Sequence, residues 1–372
     1  MYVRTAVLTT LFIGLAATAQ APTSLKDAFH GDFYIGVAMN TAQITGQDAR
    51  GDALIEQQFD SISPENCLKW ENVHPLPDKY DFALSDQYVA FGEKHHMFIV
   101  GHNLVWHSQV PAWVFHDDKG NLLTRDALLA RMRDHIHTVV GRYKGRIQSW
   151  DVVNEALNED GTLRESLWYK IIGPDYIAKA FEYAHEADPQ AQLAYNDYNL
   201  ASPAKFAGVI RLVRQLKAEG VTIDVVGMQN HDHLDSPTPE QEDAAISAIA
   251  ATGVKVSVSE LDIDVLPAAT RQNTADVSVR VAANPALNPW PNGLPDSIQQ
   301  QLAQTYAALF KVFLKHRAQI SRVTFWGATD ADSWKNNWPV PGRTNYPLLF
   351  NRDFQPKPAY YAVIREAESS MH

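Results

Sequence analysis

The chain has 372 residues, 45% of them hydrophobic and 20% charged, enough apolar matter for one large domain or two modest ones. Its 32 Lys and Arg stand against 43 Asp and Glu, a formal net charge of −11 with no basic run, so nucleic acid is not an expected partner. The single cysteine, Cys67, excludes an internal disulfide framework and reads as a small buried hydrophobe, not as a nucleophile.

The chain begins with Arg4, an apolar run from Ala6 to Ala17 and the small residues Ala17-Thr18-Ala19. That order is the pattern of a secretory signal over residues 1–19, cleaved after Ala19, and it predicts a secreted or periplasmic protein. The run is short for a bilayer, and no other segment is a spanning candidate.

Beyond it, eight apolar, strand-like runs alternate with helical patterns. Phe33 to Met39 is the first, and Asp60 to Ser63 the second, ending in Pro64-Glu65-Asn66 with Lys69-Trp70 beyond. The third, Phe98 to Leu104, leads into Val105-Trp106-His107-Ser108-Gln109. The fourth, Ile147 to Glu155, ends on Asn154-Glu155; the fifth is Leu193 to Asn196 and the sixth Val225 to Gln229. The seventh ends at Glu260 with Asp262 after it, and the eighth is Val323 to Trp326. Helical periodicity fills the intervals, from Asp48 to Phe59 through Asp86 to His95, Arg125 to Tyr143, Tyr176 to Ala187, Pro203 to Glu219, Pro239 to Ala251 and Ser297 to His316 to a closing Pro358 to Glu366. Thr124 and Ser202 stand as N-caps, and Gly220 and Gly253 as left-handed stops. Eight strand-then-helix units predict an α/β fold, a single-domain (β/α)8 TIM barrel over residues 25–370, and no Gly-rich phosphate loop follows the first strand to favour a doubly wound sheet.

Two of these strands each deliver a glutamate, Glu155 and Glu260, to the carboxyl-terminal face where barrel enzymes keep their chemistry. Cleaving a glycosidic bond calls for such a pair, one carboxyl protonated and one ionised. A neighbouring carboxylate is expected to push one of them up. His231, held by Asp262, is suited to orient Glu260, and Asn154 could bond a sugar hydroxyl. Trp106, Trp326 and Trp334, near strand ends, offer flat faces to pyranose rings. The segment from Asp264 to Pro295 is too long for an ordinary connection and follows the strand carrying Glu260, so it is expected on the same face.

The motifs SPENCLKW, GHNLVWHSQVPAW, WDVVNEA, YNDYN, GMQNH, GVKVSVSELDI and TFWGATDADSW occur in this order. Together, from about Phe33 to Ile364, they resemble family 10 glycoside hydrolases, retaining endo-β-1,4-xylanases. The resemblance implies Glu155 as acid/base, Glu260 as nucleophile, and xylan and xylo-oligosaccharides as substrates for a monomer with no cofactor and no metal. It also implies that Glu65, Asn66, Lys69, His102, Trp106 and Gln109 bind sugars on the non-reducing side. Asn154 would contact the 2-hydroxyl, Asn196, Gln229 and His231 would form the floor, Trp326 and Trp334 would close over it, and Tyr198 would be a platform just past the scissile bond. Asn103, Asn230, Asp232-His233 and the Asp264 to Pro295 segment depart from the family pattern and bear on substrate preference. Two other classes compete: a metal-dependent hydrolase using His231-x-His233, with His233 otherwise an exposed loop residue, and a sugar-binding protein without chemistry.

Overall fold

Val, Ile and Leu crowd both faces of the predicted strands, and strands of that kind bury only when helices cover the sheet on one side and other strands face them on the other. The computed structural model, which describes residues 24–270 and 275–370, meets that demand by closing the sheet on itself. Strands β1 (Tyr34–Met39), β2 (Ser61–Pro64), β3 (Phe98–Trp106), β4 (Ser149–Asn154), β5 (Gln192–Asp197) and β6 (Val225–Met228) pair in sequence order. From β6 the ring continues to β8 (Lys255–Asp264), then β9 (Ile320–Phe325), and back to β1. Every pairing in the ring is parallel, giving the eight-stranded (β/α)8 barrel expected. The predicted signal segment lies outside the described residues. Among those residues, no helix is long and apolar enough to cross a membrane.

The differences from expectation are local. A ninth strand, β7 (His231–His233), pairs in parallel with the outer end of β8, which is why β8 runs to Asp264 instead of stopping at Glu260. His233 is therefore a half-buried strand residue beside Asp264, not an exposed loop residue. Ser202 precedes Pro203 as expected but makes no capping bond, whereas Thr238 forms a full capping box with Gln241. Thr124 does cap its helix, and Gly220 and Gly253 take φ of +77° and +81° at helix ends.

Inside the ring, size is matched between neighbours. Trp150 is wholly buried on β4 and lies where a side chain on Gly101 of β3 would be, so the glycine in GHNLVW makes room for the tryptophan in WDVVNEA. Below the mouth, Arg322 reaches Ser149 and Asp151, and Asp151 in turn holds the His102 Nδ1 at 2.9 Å. This buried column fixes the ring of His102 at the floor of the mouth. Cys67 is buried, and burial pushes its thiol far up, consistent with an inert hydrophobe.

Candidate active site

At the carboxyl ends of β2, β3, β4, β6, β8 and β9 the side chains converge on a cavity of about 140 Å³. Glu155 and Glu260 both line it, so the two strand-end glutamates share one space. Glu65, Asn66, Lys69, His102, Trp106 and Gln109 line it as well, as do Asn154, Gln229, His231, Trp326 and Trp334. Asn196 and Asp262 lie behind this wall and act through it.

Glu155 follows β4 at φ +56°, in the left-handed region, with its N–H donated to the Asn196 carbonyl at 2.8 Å and its own carbonyl accepting from Arg164 Nε at 3.1 Å. These two bonds hold the turn that takes the chain out of the sheet at this residue. Its Oε2 accepts from the Trp106 indole at 2.9 Å and its Oε1 from the Gln229 amide at 3.1 Å, both neutral donors. Burial, followed by the nearby charge of Asp197, pushes its carboxyl up to about 7. Glu260 adds to that shift as the smallest of its causes, so the expected push from a neighbouring carboxylate comes second to desolvation and mostly from Asp197.

Asp197 is itself fully buried. Its Oδ1 stands 3.0 Å from the Lys205 ammonium and its Oδ2 accepts from the Tyr195 hydroxyl at 2.5 Å. Tyr195 in turn accepts from the N–H of Ala156, the residue after Glu155.

Glu260, equally buried, meets a different set of neighbours. Its Oε1 accepts from Asn196 Nδ2 at 2.7 Å and its Oε2 lies 3.2 Å from His231 Nε2. Burial would raise this carboxyl, but the His231 bond and the charges of His102 and His231 hold it below the usual range. His231 can play that part because its Nδ1 is 3.1 Å from Asp262, whose other oxygen accepts from Trp334 Nε1 at 2.8 Å. Burial disfavours the imidazolium, yet Asp262 and Glu260 outweigh it and lift His231 to about 9. Lys335, at 3.4 Å, helps keep Asp262 ionised. With both ring nitrogens facing carboxylates, His231 has no lone pair to give, and the His231-x-His233 metal reading loses its first ligand.

The two glutamates are joined by shared amides. Asn196 Nδ2 reaches both Glu260 and Asn154 Oδ1, and Gln229 Nε2 reaches both Asn154 Oδ1 and Glu155. At the β2 and β3 edge, Lys69 Nζ donates to Asn66 and Gln109 and sits 5.1 Å over the Trp106 ring.

Tyr198, like Asn196 and Asp262, is a predicted residue that does not line the cavity. It is 3% exposed, with the Lys205 ammonium 3.6 Å from its ring centroid and its hydroxyl accepting from Arg164 at 3.1 Å. One face is taken by a cation and the edge by a guanidinium, so the open sugar platform expected at Tyr198 is corrected to a buried packing residue. Ala275 and Val277, from the long segment after β8, also line the cavity and were missed as individual residues. The only signal for them was the position of that segment in the chain. Lys335, Asp197 and Lys205 were missed because partners distant in sequence give them their roles.

A parallel barrel that brings two buried glutamates, one pushed up and one held low, into one cavity at its carboxyl-terminal mouth fits the class of barrel glycoside hydrolases. The model of glycosyl hydrolase family 10 matches residues 24–366. Endo-1,4-beta-xylanase A of Xylanibacter ruminicola is 45% identical over 355 residues, covering 95% of this chain and 96% of the relative. An endo-1,4-beta-xylanase of Geobacillus stearothermophilus is 39% identical, covering 92% and 98%. Among solved structures, a GH10 endoxylanase from a sugarcane soil metagenome superposes with a TM-score of 0.90 at 48% identity, covering 92% and 99%. The chain belongs to glycosyl hydrolase family 10.

Proposed function

We propose that the protein is an endo-1,4-β-xylanase that cleaves internal xylosidic bonds of xylan with retention of configuration. The observation that carries this reading is the pairing inside one cavity of two buried glutamates with opposite surroundings: neutral donors that leave the Glu155 carboxyl pushed up to about 7, and a His231 contact that holds Glu260 below the usual range. Family membership and the xylanases among the relatives supply the substrate class.

In the proposed reaction Glu260 attacks the anomeric carbon while Glu155 gives its proton to the leaving oxygen, forming a glycosyl ester. Glu155, now a base, takes a proton from water, which displaces Glu260 and returns both groups to their starting states. His231 and Asp262 keep Glu260 anionic and aimed; Asn154 contacts the hydroxyl beside the reacting carbon, and Asn196 supports Asn154 and Glu260 from behind. Lys69, Asn66, Glu65, Gln109 and His102 bind the non-reducing sugars, with Trp106, Trp326, Trp334 and Gln229 as walls.

The catalytic domain is taken as residues 25–370. An export signal over residues 1–19, a secreted or periplasmic location and a monomeric state complete the reading. Product analysis on linear xylan beside carboxymethylcellulose, with proton NMR of the first anomer formed, tests it. Xylo-oligosaccharides appearing first as the β-anomer are expected. The α-anomer first would end the retaining mechanism, and no reducing ends from xylan would end the substrate assignment.

A further inference from the structure

In a ring of eight strands, β4 and β9 stand four steps apart, on opposite sides of the mouth. The long segment after β8 is tied to both sides. Toward β9 its attachments are backbone and side-chain bonds to the chain that follows that strand. Val281 donates to the Pro339 carbonyl at 2.9 Å, Thr344 donates to Asn288 Oδ1 at 3.0 Å, and the Tyr346 hydroxyl donates to the Trp290 carbonyl at 2.7 Å. Toward β4 the attachment is ionic: Asp276 Oδ2 lies 3.7 Å from Arg164 Nη1. Arg164 is the same guanidinium that holds the Glu155 carbonyl and the Tyr198 hydroxyl. Between these anchors Ala275 and Val277 form part of the cavity wall.

The consequences are steric and chemical. The cavity beside the two glutamates measures about 140 Å³, room for little more than the sugar at the reacting carbon. Arg164 also bonds the Glu155 carbonyl, so the ion pair brings Asp276 to the Glu155 side of the mouth. Sugar units on that side would meet Ala275 and Val277, whose side chains offer no hydrogen bonds to hydroxyls.

We propose that residues 275–281 form a strap across the leaving-group side of the cleft, and that Asp276 and Val277 determine specificity by limiting how well long xylan chains compete with short substrates. The inference rests on the xylanase reading and deepens it. Asp276 acts by holding the strap to Arg164, with its Oδ1 also accepting from the Ser278 N–H at 2.9 Å. Val277 acts by bulk.

The test compares kcat/KM on xylohexaose with kcat/KM on β-xylobiosyl fluoride, whose leaving group is a single atom, for wild type, Asp276→Ala and Val277→Trp. Losing an ion pair of this partial exposure is worth about two- to fivefold. Asp276→Ala is expected to raise the hexaose-to-fluoride ratio by that factor. Val277→Trp is expected to lower it by a similar one, and the fluoride rate should hold in Asp276→Ala. An unchanged ratio in both variants overturns the strap proposal while leaving the enzyme reading intact. Wild type that fails to turn over the fluoride would instead overturn the enzyme reading, and the strap with it.

Discussion

Two glutamates at the mouth of one barrel, both buried, are driven in opposite directions by what surrounds them. Around Glu155 the donors are an indole and two amides, none bearing charge, and a second carboxylate stands behind it. Around Glu260 the main donor is an imidazolium kept charged by Asp262, which Lys335 and Trp334 in turn stabilise. Burial alone would neutralise both. The difference teaches that division of labour in this site resides in the partners, not in the carboxyls or their depth.

The harshest way to break the comparison is to remove the charged member. Glu260→Ala is expected to lower kcat on xylan by at least about 10⁴-fold, since no other group here can form the ester. A circular dichroism spectrum like wild type would show that the loss is chemical, and substantial residual turnover would assign the attack elsewhere. Glu155→Ala should cost about 10²–10⁴-fold on xylan but far less on an aryl xylobioside with a good leaving group, and azide should restore part of the rate. Equal losses on both substrates would contradict a proton-donating role.

Subtler substitutions sharpen the contrast. Asp262→Asn removes the main partner holding the proton on His231, so Glu260 should lose its cationic neighbour. Initial rates are expected to fall about 10- to 100-fold, in keeping with a lost bond to a charged group, and the acidic limb of the kcat/KM profile should move to higher pH. A limb that stays put would separate His231 from the charge of Glu260.

The smallest effect concerns stability. The Glu155 carboxyl is raised from its ordinary value near 4.5 to about 7 in the fold, so protonated Glu155 favours folding. That contribution is complete below pH 4.5 and is lost as pH rises through about 7. Glu155→Gln carries no ionisable group there. Its melting temperature should match wild type near pH 4 and exceed it by a few degrees at pH 8, as differential scanning calorimetry would read. A constant gap across this range would mean that Glu155 is not buried as an acid.

Much of this architecture was legible in the chain. The helix from Tyr176 to Ala187 coincides with its periodicity, and Glu155 follows the end of its apolar run, whereas Glu260 lies within a strand that runs on to Asp264. What escaped depends on distant partners. β7 is three residues long and has no period of its own; it exists because the outer end of β8 offers it hydrogen bonds. Tyr198 has the composition of a sugar platform, but Lys205 and Arg164 claim its ring and hydroxyl, and nothing in YNDYN announces them. Asp197 outweighs Glu260 in setting the Glu155 proton because of a closeness that only the folded barrel creates.

Six described residues other than glycine adopt positive φ, and four of them, Gln109, Glu155, Asn199 and Asn230, lie beyond the carboxyl ends of β3, β4, β5 and β6. Each such backbone costs on the order of 1 kcal/mol relative to a relaxed one. An engineer seeking heat resistance who relaxed these positions would be reshaping the rim that aims the chemistry. The opposite end of the barrel, with its helix caps and surface charges, is where durability can be added without retuning the catalyst.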